Sequence, residues 1–173
     1  MNYSIPFILA QILGIIVFIT GVISYSKKET KQVYFYNGIT NGLLVIQYVL
    51  LGAYTGAISC LMATIRNVIL INYKKRIPIS YLVIYLIISV LINVYFVKSF
   101  IDIIPICNIV IFSIALWSKN IRHIKITGIM TCTNGIIFNA YKNAYTSILY
   151  EFICGLAGVN ALIEINRSKK KFK

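Results

Sequence analysis

Seven apolar runs of about twenty residues follow one another along this chain with almost nothing between them. A bilayer core about 30 Å thick is crossed by roughly 20 helical residues. In lipid each crossing segment must satisfy its own backbone polar groups, so each run reads as a membrane-spanning α-helix. The runs are 5–25, 33–51, 53–73, 79–97, 100–118, 124–141 and 145–165. Pro6 suits the first turn of the first run and Pro78 the start of the fourth. Connectors such as 27–32, Gly52 and 74–78 leave no room for a soluble domain. Composition agrees, with 59% of the 173 residues hydrophobic and 12% charged, where soluble domains are about half apolar and a quarter charged. No cleavable signal is expected, because residues 1–6 carry no basic stretch and the first apolar run is too long.

Four acids against seventeen Lys and Arg leave a net charge of +13. The basic residues do not form one patch for nucleic acid. They recur at the mouths of alternate loops: Lys27, Lys28 and Lys31; Lys74, Lys75 and Arg76; Lys119, Arg122 and Lys125; then Arg167, Lys169, Lys170, Lys171 and Lys173. Cytoplasmic loops carry such an excess, and fourteen of the seventeen fall on one side of a seven-span chain. Lys98 and Lys142 fall on the other. The expectation is therefore an N-terminus outside, a cytoplasmic C-terminus, the lipid bilayer as partner and no nucleic acid.

Shifting the sequence by 93 positions aligns Thr40-Asn41-Gly42 with Thr133-Asn134-Gly135, and Asn67 with Asn160. With a two-residue gap, Ala53-Tyr54-Thr55 meets Ala144-Tyr145-Thr146; with a one-residue gap the other way, Gln11 stands opposite Pro105. The matches fall at equivalent depths of spans 2/6 and 3/7, in the order a duplication demands. The expected fold class is all-α integral membrane: seven transmembrane helices as two parallel triple-helix bundles, 1–76 and 99–173, joined by a linker helix within 77–98. Parallel repeats are an established transporter design whose solute site lies near the midplane between the repeats.

The span count, N-out orientation and repeat resemble the broad SWEET / PQ-loop / PnuC-type superfamily. Closer still, the chain resembles the YgjV family of bacterial inner-membrane proteins. Gln11-Ile12-Leu13-Gly14 with Phe18 and Gly21, Leu50-Leu51-Gly52-Ala53-Tyr54, Ile65-Arg66-Asn67, Ala115-Leu116-Trp117, Phe138-Asn139, and Glu151 with Asn160-Ala161-Leu162 carry that resemblance. It implies a seven-helix fold in a bacterial cytoplasmic membrane, and brings no substrate. SWEET-like carriers use an Asn pair on the third helix of each bundle, a position that Asn67 and Asn160 fit. Their first-helix prolines are half present, as Pro105, with Gln11 in the other repeat.

Arg66 is the one basic residue that obeys no topological logic. An ionised Arg at the bilayer centre costs about 2.5–3.5 kcal/mol on the translocon scale. An acid, carbonyls, a wet cavity or an anionic ligand must offset that. Glu151 is the only acid well within a span, about 9 Å away in depth at 1.5 Å rise per residue. Two readings stay open: a buried pair fixing how the halves pack, or a site lining a central path. Arg66, Asn67, Glu151 and Asn160 are the candidate substrate-binding residues. Asn41, Gln47, Tyr48, Asn134, Asn139 and Tyr141 are candidates to line the path or bond between helices. Pro105 is expected to kink its helix, with Asn108 capping the freed carbonyls. Tyr3, Tyr25, Tyr34, Tyr36, Tyr54, Tyr73, Tyr81, Tyr145 and Trp117 read as interfacial anchors. Asp102 and Glu164 read as surface charges.

No enzyme is expected. No His lies within a span to activate a nucleophile, and no paired carboxylates, phosphate loop or metal-ligand spacing occurs, so neither metal nor cofactor is anticipated. The four cysteines sit in apolar runs as small hydrophobes. The expected function is a transporter or facilitator for a polar small solute, anionic or zwitterionic if it uses Arg66. The alternative is a non-transporting membrane receptor or assembly subunit. A homo-oligomer stays open.

Overall fold

The computed structural model describes residues 4–27, 29–72, 78–118 and 120–171. Lys28, Tyr3, Tyr73, Lys74, Lys75, Arg76, Lys119 and Lys173 lie outside that description, as do the side chains of Tyr25 and of the basic tail at 168–171. The described residues form seven α-helices: α1 (Ile5–Ser26), α2 (Thr30–Leu50), α3 (Tyr54–Asn72), α4 (Ile79–Tyr95), α5 (Ile103–Trp117), α6 (Ile121–Tyr141) and α7 (Tyr145–Lys171), with a 3-10 turn at Phe100–Asp102 leading into α5. There is one helix for each apolar run, and the protein is an all-α membrane protein.

Four helical stretches are long and apolar enough to cross a bilayer outright: Ile5–Ser24, Tyr54–Asn72, Phe100–Trp117 and Tyr145–Ile165. α4 is apolar but shorter. α2 and α6 have the length and are less apolar because they carry Asn37, Asn41 and Gln47, and Lys125, Asn134 and Asn139. Their position explains it. α2 packs between α1 and α3, and α6 between α5 and α7; the remaining large interfaces are α1 with α7 and α3 with α5. Gln47, Lys125 and Asn139 are buried in these interfaces, shielded from lipid by the neighbouring helices. α4 rests on α3 and α5 through the stripe Leu82, Tyr85, Ser89 and Asn93. Its other faces expose Ile, Leu and Val, with Tyr81 and Tyr95 near its ends.

α2 and α6 end alike. Gly52 and Asn143 both adopt a left-handed backbone, with φ of 67° and 56°. Ala53 N–H then bonds the Tyr48 carbonyl at 2.8 Å and Gly52 N–H that of Val49 at 3.1 Å. Ala144 to Asn139 (2.9 Å) and Asn143 to Ala140 (3.3 Å) repeat the pattern. Both are Schellman terminations, in which Gly or Asn is favoured because a Cβ is penalised at positive φ. The next residue in each, Ala53 or Ala144, is fully buried, and α3 or α7 starts at once.

Candidate functional site

A cavity of about 130 Å³ lies among α2, α3, α5, α6 and α7. Each helix lines it with a stripe at helical spacing. α2 supplies Asn37, Asn41, Leu44 and Tyr48; α3 supplies Gly56, Ser59, Cys60, Ala63 and Arg66. α5 contributes Pro105, Asn108, Ile109 and Phe112, α6 contributes Thr131, Gly135 and Phe138, and α7 contributes Tyr150 and Glu151. Arg66 and Glu151 thus face one shared space.

Arg66 is 1% exposed. Its Nη1 donates to Ser113 Oγ at 2.9 Å and its Nη2 to Asn67 Oδ1 at 3.4 Å, while the guanidinium lies 5.4 Å from the Phe112 ring centre. Its Nε has no hydrogen-bond partner. No acid pairs with Arg66 among the described residues; the ion pair recorded there is Lys142–Asp102. A buried guanidinium held by two neutral acceptors and one ring is short of counter-charge. Glu151 accepts from the Cys132 thiol and lies over α6 at Gly135, where a Cβ would come within 2.6 Å of Glu151 Oε1. Only a glycine leaves the carboxylate that room.

Behind Arg66, Asn67 is fully buried and donates to Asn37 Oδ1 at 2.8 Å. Asn41 donates to the same oxygen at 2.6 Å and to the Asn37 carbonyl at 2.7 Å. Asn37 was not singled out from the sequence, yet it joins Asn41, Asn67 and Arg66 into one network. The signal available was its position four residues before Asn41, on the same helix face. Ser113, Ser59 and Phe112 were likewise missed, since a lone Ser or Phe in an apolar run carries no mark. Ser59 donates to Asn93 Oδ1 on α4 at 2.8 Å.

The remaining candidates scatter. Asn160 is exposed and outside the cavity. The buried stripe of α7 runs through Ser147, Tyr150, Cys154 and Gly158, and position 160 falls roughly 200° round from Gly158 at 100° per residue. Asn134 stands behind the lining, donating to Asn108 Oδ1 at 2.9 Å, and Asn108 donates to the Thr131 carbonyl at 3.2 Å. Asn108 therefore ties α5 to α6 instead of capping α5 carbonyls. The change from 3-10 to α geometry falls two residues before Pro105, which sits in the first turn of α5. A missing N–H costs little there.

Gln47, Tyr48 and Asn139 gather above the cavity at the Gly52 end. Gln47 donates to Thr146 at 3.2 Å and accepts from Ser147 at 3.0 Å. Tyr48 donates to Asn139 Oδ1 at 2.8 Å and packs edge-on against Phe138. Gln11 accepts from Thr146 at 3.1 Å beside them. Tyr141 is exposed and takes no part.

Three charged or aromatic residues differ from their expected settings. Asp102 is 2% exposed: it pairs with Lys142 at 2.8 Å, accepts from Thr55 at 3.1 Å and accepts the Ser99 and Lys98 backbone N–H groups at 3.0 and 3.1 Å. This carboxylate terminates a loop and joins α3, α5 and α6 instead of facing solvent. Tyr34 is buried and donates to the Leu116 carbonyl at 3.0 Å, so it joins helices where an interfacial anchor was expected. Lys125 is a buried helical residue rather than a loop cation. It lines a void of about 10 Å³ that shares Asn37 and Phe112 with the main cavity.

No cluster of His, Cys, Asp and Glu suited to a metal ion occurs among the described residues. A family model described as Imp-YgjV, bacterial inner membrane protein, matches residues 8–169. No curated protein and no solved structure matches the chain.

Proposed function

Because the chain belongs to the Imp-YgjV family of bacterial inner membrane proteins, we propose that it is a membrane transporter or facilitator for a polar small solute, which passes through the cavity that Arg66 and Glu151 line. The observation that carries this reading is Arg66 itself. A bilayer-depth cation with no acid partner among the described residues and an unpaired Nε is costly, and packing alone does not call for it, since an apolar residue of similar volume often serves as well. Its worth is recovered when a solute supplies the missing acceptor.

Two further observations support a two-unit architecture with α4 as linker. The matching Schellman turns at Gly52 and Asn143 stand 91 positions apart, at the register where Ala53-Tyr54-Thr55 aligns with Ala144-Tyr145-Thr146. The pairings α1–α7 and α5–α3 are those that exchange of two parallel triplets by a two-fold axis requires. In this reading Gly52, Lys98 and Lys142 lie at the outer face and the basic clusters inside. The cavity then sits between two packed clusters, with Tyr48 and Phe138 toward the outer face and Tyr34, Leu116 and Ile124 toward the inner one.

The test is uptake into proteoliposomes, screened over polar solutes, for wild type, Arg66→Ala and Glu151→Gln. Flux that falls in both folded variants is the expected result. Folded variants with every flux unchanged overturn the reading. Solute binding without flux favours the non-transporting receptor.

A further inference from the structure

Resting on the same reading of the cavity, we infer that its solute is a small zwitterion, whose carboxylate sits on Arg66 and whose ammonium sits on Glu151. Among the described residues these two are the only ionisable acid and base that line the space. No ion pair joins them to each other or to another residue among those described. Arg66 keeps Nε unpartnered while its two terminal nitrogens are occupied, so an acceptor is missing on that edge of the guanidinium. Glu151 has one neutral partner, Cys132. A buried guanidinium and a buried carboxyl both gain from a counter-charge, and a ligand with only one sign supplies it to one of them alone.

Depth and volume agree with a short molecule. Arg66 lies twelve residues into α3 from Tyr54 and Glu151 six into α7 from Tyr145, and both helices start at the same end, so the two positions differ by about 9 Å along the axis. The volume of about 130 Å³ is slightly below the roughly 150 Å³ that accommodates benzene, which sets the ligand near six non-hydrogen atoms. The cationic half is also catered for. Tyr48, Phe138 and Tyr150 pack in one cluster with Cys132, the partner of Glu151, and aromatic faces attract an ammonium group. The anionic half meets amides, Asn37 and Asn41, beside the guanidinium.

The decisive experiment is calorimetric titration of the purified full-length protein in detergent with four probes: β-alanine, 4-aminobutyrate, propionate and propylammonium. At least one zwitterion should bind no less than tenfold more tightly than either singly charged probe. Arg66→Met and Glu151→Gln should each weaken that zwitterion about ten- to hundredfold, the range for losing a hydrogen bond to a charged group. Propionate binding as tightly as β-alanine, unaltered by Glu151→Gln, overturns the inference in favour of an anion site. Failure of all four probes to bind wild type also overturns it, and needs no variant to fold. Selective zwitterion binding without proteoliposome uptake upholds this inference and sinks the transport reading. Uptake of an unrelated solute with no zwitterion binding does the reverse.

Discussion

Replacing Arg66 with Met should weaken solute binding about ten- to hundredfold while leaving thermal stability almost unchanged. Met is unbranched and fills much of the same volume. The substitution loses two hydrogen bonds from a charged donor, to Ser113 and Asn67, at about 1.5–3 kcal/mol each. It also loses the Phe112 ring contact, worth about 0.5–2 kcal/mol. Against this stand relief of the central charge, about 2.5–3.5 kcal/mol, and of the orphaned Nε, about 1–3 kcal/mol. Ser113 Oγ keeps its bond to the Ile109 carbonyl, so the loss falls toward the low end. The sums cancel to within about 2 kcal/mol. For a chain of this size 1 kcal/mol moves Tm by about 2–4 °C, so a shift within about 8 °C of wild type is expected in a detergent thermal-unfolding assay. A much larger fall, with solute binding retained in the surviving folded fraction, would show that Arg66 anchors the helices and would refute the reasoning.

Other perturbations separate structure from function. Asp102→Asn should lower Tm by several degrees in the same assay without altering solute selectivity, because Lys142 loses its partner while remaining able to reach water. Gly135→Ala should keep the fold and weaken zwitterion binding, since its Cβ would lie 2.6 Å from Glu151 Oε1 and push the carboxylate aside; unchanged affinity by titration counts against Glu151 as a ligand. Asn160→Leu should leave both stability and flux unaltered, because position 160 is exposed and outside the cavity.

The seven helices were legible because an unsatisfied backbone in lipid is so costly that long apolar runs have one outcome. Their ends were legible to within a few residues, apart from α7, which runs on through the basic tail to Lys171. Arg66 and Glu151 stood out for the same reason: a charge in a span must be compensated. The sequence did not reveal which way each polar side chain turns. Asn67 and Asn160 align at the 93-residue offset, yet one is fully buried behind Arg66 and the other is exposed, because α3 and α7 turn different faces inward. Asp102 looked like a surface charge since it stands at a span end; its burial depends on Lys142 and Thr55, remote in sequence. Asn37 was hidden because position 130, 93 residues on, is Met, although its spacing from Asn41 put it on the same face.

Aqueous access to Cys60 tests the central claim most directly. Cys60 lines the cavity near Arg66, while Cys107 is exposed outside it and Cys132 and Cys154 are buried. In reconstituted Cys107→Ser, Cys132→Ser, Cys154→Ala protein, a small membrane-impermeant methanethiosulfonate should modify Cys60 from either side of the vesicle, and a bound solute should slow it. Cys60 that reacts only after denaturation, from neither side of the intact membrane, would contradict a solute path through this cavity.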